Sequence, residues 1–350
     1  MKLGLGLYDN MLTAENFRFA RQAGATHIVA HIPGLLAQKD APPGCWGISD
    51  PTLPYWNYED LRDLRAAINA EGMELVALEN FAPAHWHDVL LDGPRKQEQL
   101  EHLKTSIRNL GKAGIPVMGY NFSMAGVWGR VRGPHARGGA ESVGYLADQA
   151  PPQEPIPNGT VWNTVYDKDA PPGDIGTVTE EQIWQRLTDF LTAIVPVAEE
   201  AGVRLAAHPD DPPLPTLRGT ARLVYTPDRY QRLLDIVPSH YNALEFCQGT
   251  IAEMASGDVY EAIDTYSKQG KIAYVHFRNV VGKVPNYTEA FVDDGDVDMI
   301  RALRIYHKNG YDGVIIPDHT PRLECAAGWH AGMAYALGWM KAVITMLGQE

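Results

Sequence analysis

Five side chains in the C-terminal half of the chain could together do chemistry: His208, Cys247, His276, Asp318 and His319. Each of the first four stands at or beside the end of a short apolar run. The runs are RLAAHPDDPP from residue 204, NALEFC from 242, IAYVHFRN from 272 and GVIIPDH from 313. Two imidazoles, a thiolate and a carboxylate form a sensible ligand set for a divalent metal. Taken singly, each has an ordinary explanation. A buried cysteine commonly acts as a small apolar residue, a histidine can be satisfied within a core, and Asp210 and Asp211 form turns. The repetition on four successive strand ends is what favours the metal. Ligand type alone suits zinc or iron at least as readily as manganese, because thiolate is soft and Mn²⁺ sits at the weak end of the affinity order.

A Cys/His nucleophilic hydrolase would use the same residues. Against it, no helix is expected directly behind Cys247 to lower its thiol pKa. No G-x-S-x-G elbow supports a serine hydrolase.

These residues need elements to position them. Strand candidates at Leu3 to Tyr8, His27 to Ile32, Glu74 to Glu79 and Pro116 to Phe122 precede the four runs already named. Helical periodicity separates them: a helix capped by Thr13, one from about Tyr58 to Glu71, and one from Pro94 to Ala113 with Leu100, Leu103, Ile107 and Leu110 on one face. Thr179 with Gln182 reads as a capping box, Thr226 with Pro227 as a helix start, and Asp296 as the cap of a seventh helix. A last helix runs from Gly328 to Leu347. Eight strands alternating with eight helices, without a composition break, predict a single (β/α)8 TIM barrel over residues 1–350, with a doubly wound open sheet as the alternative. In a barrel all strand C-termini meet at one mouth.

A Pro- and Gly-rich loop runs from Pro33 to Pro54. A longer irregular stretch, 123–178, follows strand four and contains Trp128, Arg130, Arg132, Arg137 and Trp162. Connections of that length usually have a use, so it is a candidate lid, capping insertion or oligomer contact, and a homo-oligomer is expected. His31 is read as a core histidine, and Glu79 as either a substrate contact or a structural hydrogen-bond partner. The stiff prolines after His208 leave Asp210 or Asp211 available to orient its ring.

A formal net charge of -13 over 350 residues, without a basic stripe, excludes nucleic-acid binding through a general electrostatic footprint. Three cysteines, Cys45, Cys247 and Cys325, are too sparse for a disulfide framework and fit a reducing, cytoplasmic compartment. The N-terminus shows no export signal, and no run is long enough to span a membrane.

At these motifs the chain resembles the mannonate dehydratase family, barrel enzymes of sugar-acid (glucuronate) catabolism akin in fold to xylose-isomerase-like proteins. The resemblance is carried by RNLGKAGIPVMGYNF ending at Phe122, Trp128 and Arg130, AAHPDDPP ending at Pro213, EFCQGT at 245–250, VHFRNV at 275–280, GDVDM at 295–299 and PDH at 317–319. It implies a divalent metal, typically manganese, held by His208, Cys247, His276 and Asp318, with His319 as an acid/base group. The implied reaction removes water from a mannonate-like aldonate to give a 2-keto-3-deoxy sugar acid; the alternatives are a metal-dependent isomerase or epimerase of a related sugar, and a metal- or carbohydrate-binding relative without turnover. A hydrogen α to a carboxylate is very weakly acidic, so such a reaction needs a Lewis acid and nearby cations, and the leaving hydroxide needs a proton. Asn121, Arg130 and Arg278 are the candidate substrate-binding residues, with Arg278 alternatively a structural ion-pair member. Two segments depart from the family. Tyr287-Thr288-Glu289 replaces a Phe-His-Glu segment after strand seven, and Ala326-Ala327-Gly328-Trp329-His330 stands where the family carries a tyrosine-containing connection.

Overall fold

Strands buried on both faces are mostly apolar, and the eight central strands follow that rule apart from polar residues such as Glu79, Glu245 and His276 that turn into the lumen. They are β1 (Lys2–Tyr8), β2 (His27–His31), β3 (Glu74–Glu79), β4 (Val117–Tyr120), β5 (Arg204–Ala207), β6 (Asn242–Cys247), β7 (Ile272–His276) and β8 (Val314–Ile316). All pair in parallel with their chain neighbours, and β8 pairs with β1, so the sheet closes into a barrel. The computed structural model describes residues 1–36, 45–50 and 52–349; part of the predicted Pro33 to Pro54 loop lies outside them.

Small and branched side chains fill the barrel lumen: Val29, Ala77, Val117, Ala206, Ala243, Ala273, Val314 and Ile316. Gly119 on β4 is required by close approach. A Cβ there would stand 2.2 Å from Tyr274 Oη and 2.4 Å from Glu245 Oε2, so its bare backbone makes room for the polar side chains that cross the lumen. The helices press their apolar faces on the outside. In the helix Glu180–Ala201 the reciprocal capping box forms as read: Thr179 Oγ1 accepts from Gln182 N–H at 3.3 Å, and Gln182 Oε1 accepts from Thr179 N–H at 2.8 Å.

Several local readings are corrected. The helix expected to begin at Thr226 and Pro227 starts at Arg229, because its first turn is taken up by a tighter bend. The cap of the helix Met299–Lys308 is Asp298, whose carboxylate accepts from Arg301 N–H at 2.9 Å, whereas Asp296 accepts from Gly282 N–H. The stretch 123–178 is not irregular. It contains a hairpin, Val131–Ala136 with Ala140–Leu146, and short strands at Thr160–Val161 and Thr164–Val165. The polar loop after β7 is also a hairpin, Asn279–Lys283 with Asn286–Ala290, and the two hairpins join into one four-stranded antiparallel sheet. The paired residues Asn286 and Leu146 lie far apart in sequence, so no local signal announces that pairing. The sheet matters for the site, because its strand Asn286–Ala290 delivers Tyr287 and Glu289.

Candidate metal centre at the barrel mouth

The register of β6, β7 and β8 brings the ends of three strands level: Cys247 stands opposite His276, and His276 opposite Ile316. Alternate residues share a face, so Glu245 and Cys247 both point into the lumen, as do Tyr274 and His276. His208 follows β5 directly, and Asp318 lies just beyond β8 with φ of 62°, a left-handed conformation that aspartate tolerates better than most residues. One donor atom from each of His208, Cys247 and His276 lies within 4.8 Å of the others. Asp318 Oδ1 is 3.5 Å from His276 Nδ1. The four sequence-selected residues are therefore gathered in one place.

The donor set fits a cation. His208 Nδ1 lies 2.6 Å from the Pro209 carbonyl, so that nitrogen holds its proton and Nε2 is the atom a cation could take by displacing a proton. His276 Nδ1 is buried without a hydrogen-bond partner among the described residues. Burial opposes ionisation of Cys247, but Arg278 and then His208 and His276 outweigh it and hold the thiol well below its ordinary range. Thr250 Oγ1 and Arg278 Nη2 also approach the sulfur, at 3.1 and 3.5 Å. Burial likewise opposes a charged His208, yet the Cys247 sulfur raises its pKa to about 9.

One argument made from sequence fails. A helix, Gln248–Glu253, does begin directly behind Cys247, which is its N-cap residue. The nucleophile reading is disfavoured on other grounds: Cys247 is fully buried, with its sulfur enclosed by basic and hydroxyl groups rather than open to a substrate.

Around this centre runs an ion-pair network that sequence reasoning only partly found. Arg278, 1% exposed, reaches Asp211 Oδ2 at 3.0 Å, Glu253 Oε1 at 2.9 Å, Glu289 Oε1 at 2.6 Å and Asp318 Oδ2 at 3.2 Å. Its guanidinium is thus wholly engaged by carboxylates, which matches the structural alternative and removes Arg278 as an open substrate contact. Arg130 pairs with the same Asp211 and keeps a partly exposed side chain. Tyr287 Oη donates to Asp211 Oδ1 at 2.7 Å. Arg130, then Arg278, keep the Asp211 carboxyl far below the usual range despite burial. Neither aspartate orients His208. Asp210 accepts from the Leu223 and Val224 N–H groups and pairs with Arg222, and the Pro209 carbonyl holds the ring instead. Asn121 is buried against the Nδ1 edge of His208, at 3.4 Å, and so backs the ring rather than opening to a ligand.

His319 is 30% exposed. Its Nδ1 contacts Glu289 Oε1 at 3.0 Å, and Nε2 lies 3.6 Å from Asp318 Oδ1. Burial disfavours its charge, but Asp318 and Glu289 raise its pKa above the ordinary value. Glu289 comes from the segment that departs from the family pattern. The other departing segment packs elsewhere: Trp329 and His330 lie against Phe19, and His330 Nε2 meets Asn16. Deeper in the lumen, Glu79, Glu245 and His276 form a second group with donors within 4.8 Å. Of the two glutamates, only Glu79 drew attention in the sequence. The signal available for Glu245 was its spacing of two from Cys247, which puts both on one face.

No helix among the described residues is long and apolar enough to cross a membrane. The sequence matches the model of the D-mannonate dehydratase family (UxuA) over residues 1–150 and 173–348. A mannonate dehydratase of Streptococcus pneumoniae (strain 70585) is 31% identical over 306 residues, covering 83% of each chain. One of Thermotoga maritima is 30% identical over 288 residues, covering 77% of this chain and 79% of that one. The crystal structure of mannonate dehydratase from Streptococcus suis serotype 2 superposes with a TM-score of 0.79 at 25% identity, covering 100% of this chain and 95% of that chain. A D-psicose 3-epimerase from Clostridium cellulolyticum H10 shares the fold alone, at 12% identity and a TM-score of 0.57. The chain belongs to the D-mannonate dehydratase family.

Proposed function

We propose that this protein removes water from a D-mannonate-type aldonate to give a 2-keto-3-deoxy sugar acid, with Mn²⁺ as its metal and His208, Cys247, His276 and Asp318 as the ligands. The observation that carries the reading is the convergence of these donors beside His319 at the strand ends of a barrel in this family. When bound, the metal would supply Lewis-acid stabilisation of negative charge developing next to the substrate carboxylate. His319 holds and moves the proton. Its Nδ1 is taken by Glu289, so Nε2 is the atom left to exchange a proton with substrate or leaving hydroxyl. Arg130, fixed by Asp211 yet partly exposed, is the cation assigned to the substrate carboxylate.

The segment 123–178 is proposed as the cap of this site. The support is its sheet shared with the hairpin that carries Tyr287 and Glu289. A cytoplasmic, homo-oligomeric sugar-acid enzyme of glucuronate catabolism is the setting this reading entails. The test is incubation of Mn²⁺-loaded protein with a panel of aldonates that includes D-mannonate. A 2-keto-3-deoxy acid from mannonate is expected; unchanged mannonate, or an epimerised product in its place, refutes the assignment.

A further inference from the structure

The ligand set explains one nitrogen of His276 and leaves the other to be explained. Nε2 lies 3.1 Å from Glu79 Oε2 and 3.2 Å from Glu245 Oε1, on the lumen side of the ring. Nδ1, on the opposite edge, is buried, lacks a hydrogen-bond partner among the described residues and lies 3.5 Å from Asp318 Oδ1. A neutral imidazole has one donor and one acceptor nitrogen. If Nε2–H is donated to Glu79, with the Glu245 carboxylate beside it, the lone pair stays on Nδ1, facing Asp318.

The Glu79 carboxylate is itself held. Tyr274 Oη donates to Glu79 Oε2 at 3.1 Å, and His31 Nδ1 approaches Glu79 Oε1 at 3.5 Å. His31 is held in turn by stacking on Tyr8, with ring centroids 4.5 Å apart. Gly119 provides the space in which Tyr274 and Glu245 meet. Glu79 is 5% exposed and Glu245 fully buried, so water does not compete for the imidazole proton.

We infer that Glu79 and Glu245 are positioning residues that fix His276 as its Nε2–H tautomer and present Nδ1 to the metal. A carboxylate behind a ligating histidine sets ring orientation and raises its basicity, and loss of such a partner typically weakens metal binding about 10- to 100-fold. The rival assignment makes Glu79, Glu245 and His276 Nε2 the ligands of a second cation. It requires one imidazole to bridge two ions and therefore to lose both protons, whereas the single-ion arrangement leaves it neutral.

The inference rests on the metal-centre reading, and His208→Ala tests that reading separately. Metal affinity and stoichiometry are measured by chelator competition with Mn²⁺ and Co²⁺ for the parent, His208→Ala, Glu79→Ala, Glu79→Gln and Glu245→Gln. The parent is expected to bind one ion, and His208→Ala to lose it. Unchanged binding in His208→Ala overturns the ligand set itself. Glu79→Ala is expected to bind about 10- to 100-fold more weakly. Glu79→Gln, which keeps an acceptor oxygen, should recover part of that loss, and Glu245→Gln should fall between it and the parent. In the cobalt form the thiolate-to-metal charge-transfer band of Cys247 should persist while the ligand-field bands shift as the His276 ring turns. Affinities within twofold of the parent for both Glu79 variants and for Glu245→Gln overturn the inference, as does a parent stoichiometry of two ions that falls to one in Glu79→Ala. If Glu79→Ala fails to fold, the isosteric Glu79→Gln and Glu245→Gln carry the test on affinity and cobalt spectrum.

Discussion

Replacing Arg278 with methionine tests the ion-pair network where it is most concentrated. Arg278 serves four carboxylates, but they do not depend on it equally. Asp211 would retain Arg130, Tyr287 at 2.7 Å and Thr250 at 3.2 Å. Glu289 would retain His319, and Asp318 would retain His276 and His319. Glu253 is fully buried, its Oε1 contacts Arg278 at 2.9 Å, and its Oε2 has no hydrogen-bond partner among the described residues. The loss therefore falls on Glu253. Stranding one member of a buried pair costs about 3–5 kcal/mol, and methionine keeps the apolar stem, so most of that cost is electrostatic. Adding Glu253→Gln removes the stranded charge and should recover about 2 kcal/mol of it.

The pH dependence has a definite sign. Burial already pushes the Glu253 pKa well above its ordinary value, with Arg278 opposing, and without Arg278 it rises further. The folded state then binds a proton that the unfolded state has released, so Arg278→Met should lose stability as pH rises from 5 to 8. Urea unfolding of metal-free parent, single and double variants at both pH values measures this. A loss below about 1 kcal/mol for the single variant, far under the range for a broken buried pair, would refute the reasoning. So would a double variant no more stable than Arg278→Met at pH 8.

Three other outcomes are expected. His319→Asn should leave metal content at the parent level and abolish turnover of the aldonate found to react; full activity would remove its proton-transfer role. Burial holds the His85 imidazole down to about 4, against 6.5 when free. Acidification through that window should cost roughly 3 kcal/mol of stability, since the unfolded chain gains a proton the folded one refuses, and His85→Gln should flatten the profile in urea midpoints taken from pH 7 to pH 4. Gly119→Ala would set a methyl against Tyr274 Oη and Glu245 Oε2, so a loss of about 1–3 kcal/mol is expected, together with weaker metal binding. Parent-like values in both assays would show that the lumen yields more readily than its packing implies.

What could be read from the sequence, and what could not, divides along a physical line. Strand ends are local events: an apolar run stops at a histidine, a cysteine or a PDH, and the barrel then sends all of them to one mouth. His208, Cys247, His276 and Asp318 were legible for that reason. The contacts that prepare them are not local. Glu79 meets His276 across the closed lumen, and Tyr287 meets Asp211 only because two hairpins from different connections pair into one sheet. Those contacts depend on barrel closure and on strand register, which apolar periodicity does not encode.

The same distinction explains why Asp211 was misjudged and why Arg278 stood between two roles. Each looked like a free polar group on a loop near a site, yet each is buried among opposite charges. A charge that appears available in sequence is, in this lumen, more often the counter-charge that allows its neighbour to be buried at all. Arg130 differs because its pairing with Asp211 leaves the side chain partly exposed. Under the proposed function that asymmetry divides the work: Arg278 holds the carboxylates in place, and Arg130 is the cation proposed for the ligand. Arg130→Met should consequently raise KM for the aldonate more than it lowers the urea midpoint, the reverse of Arg278→Met. Equal losses of stability in the two variants would erase the distinction.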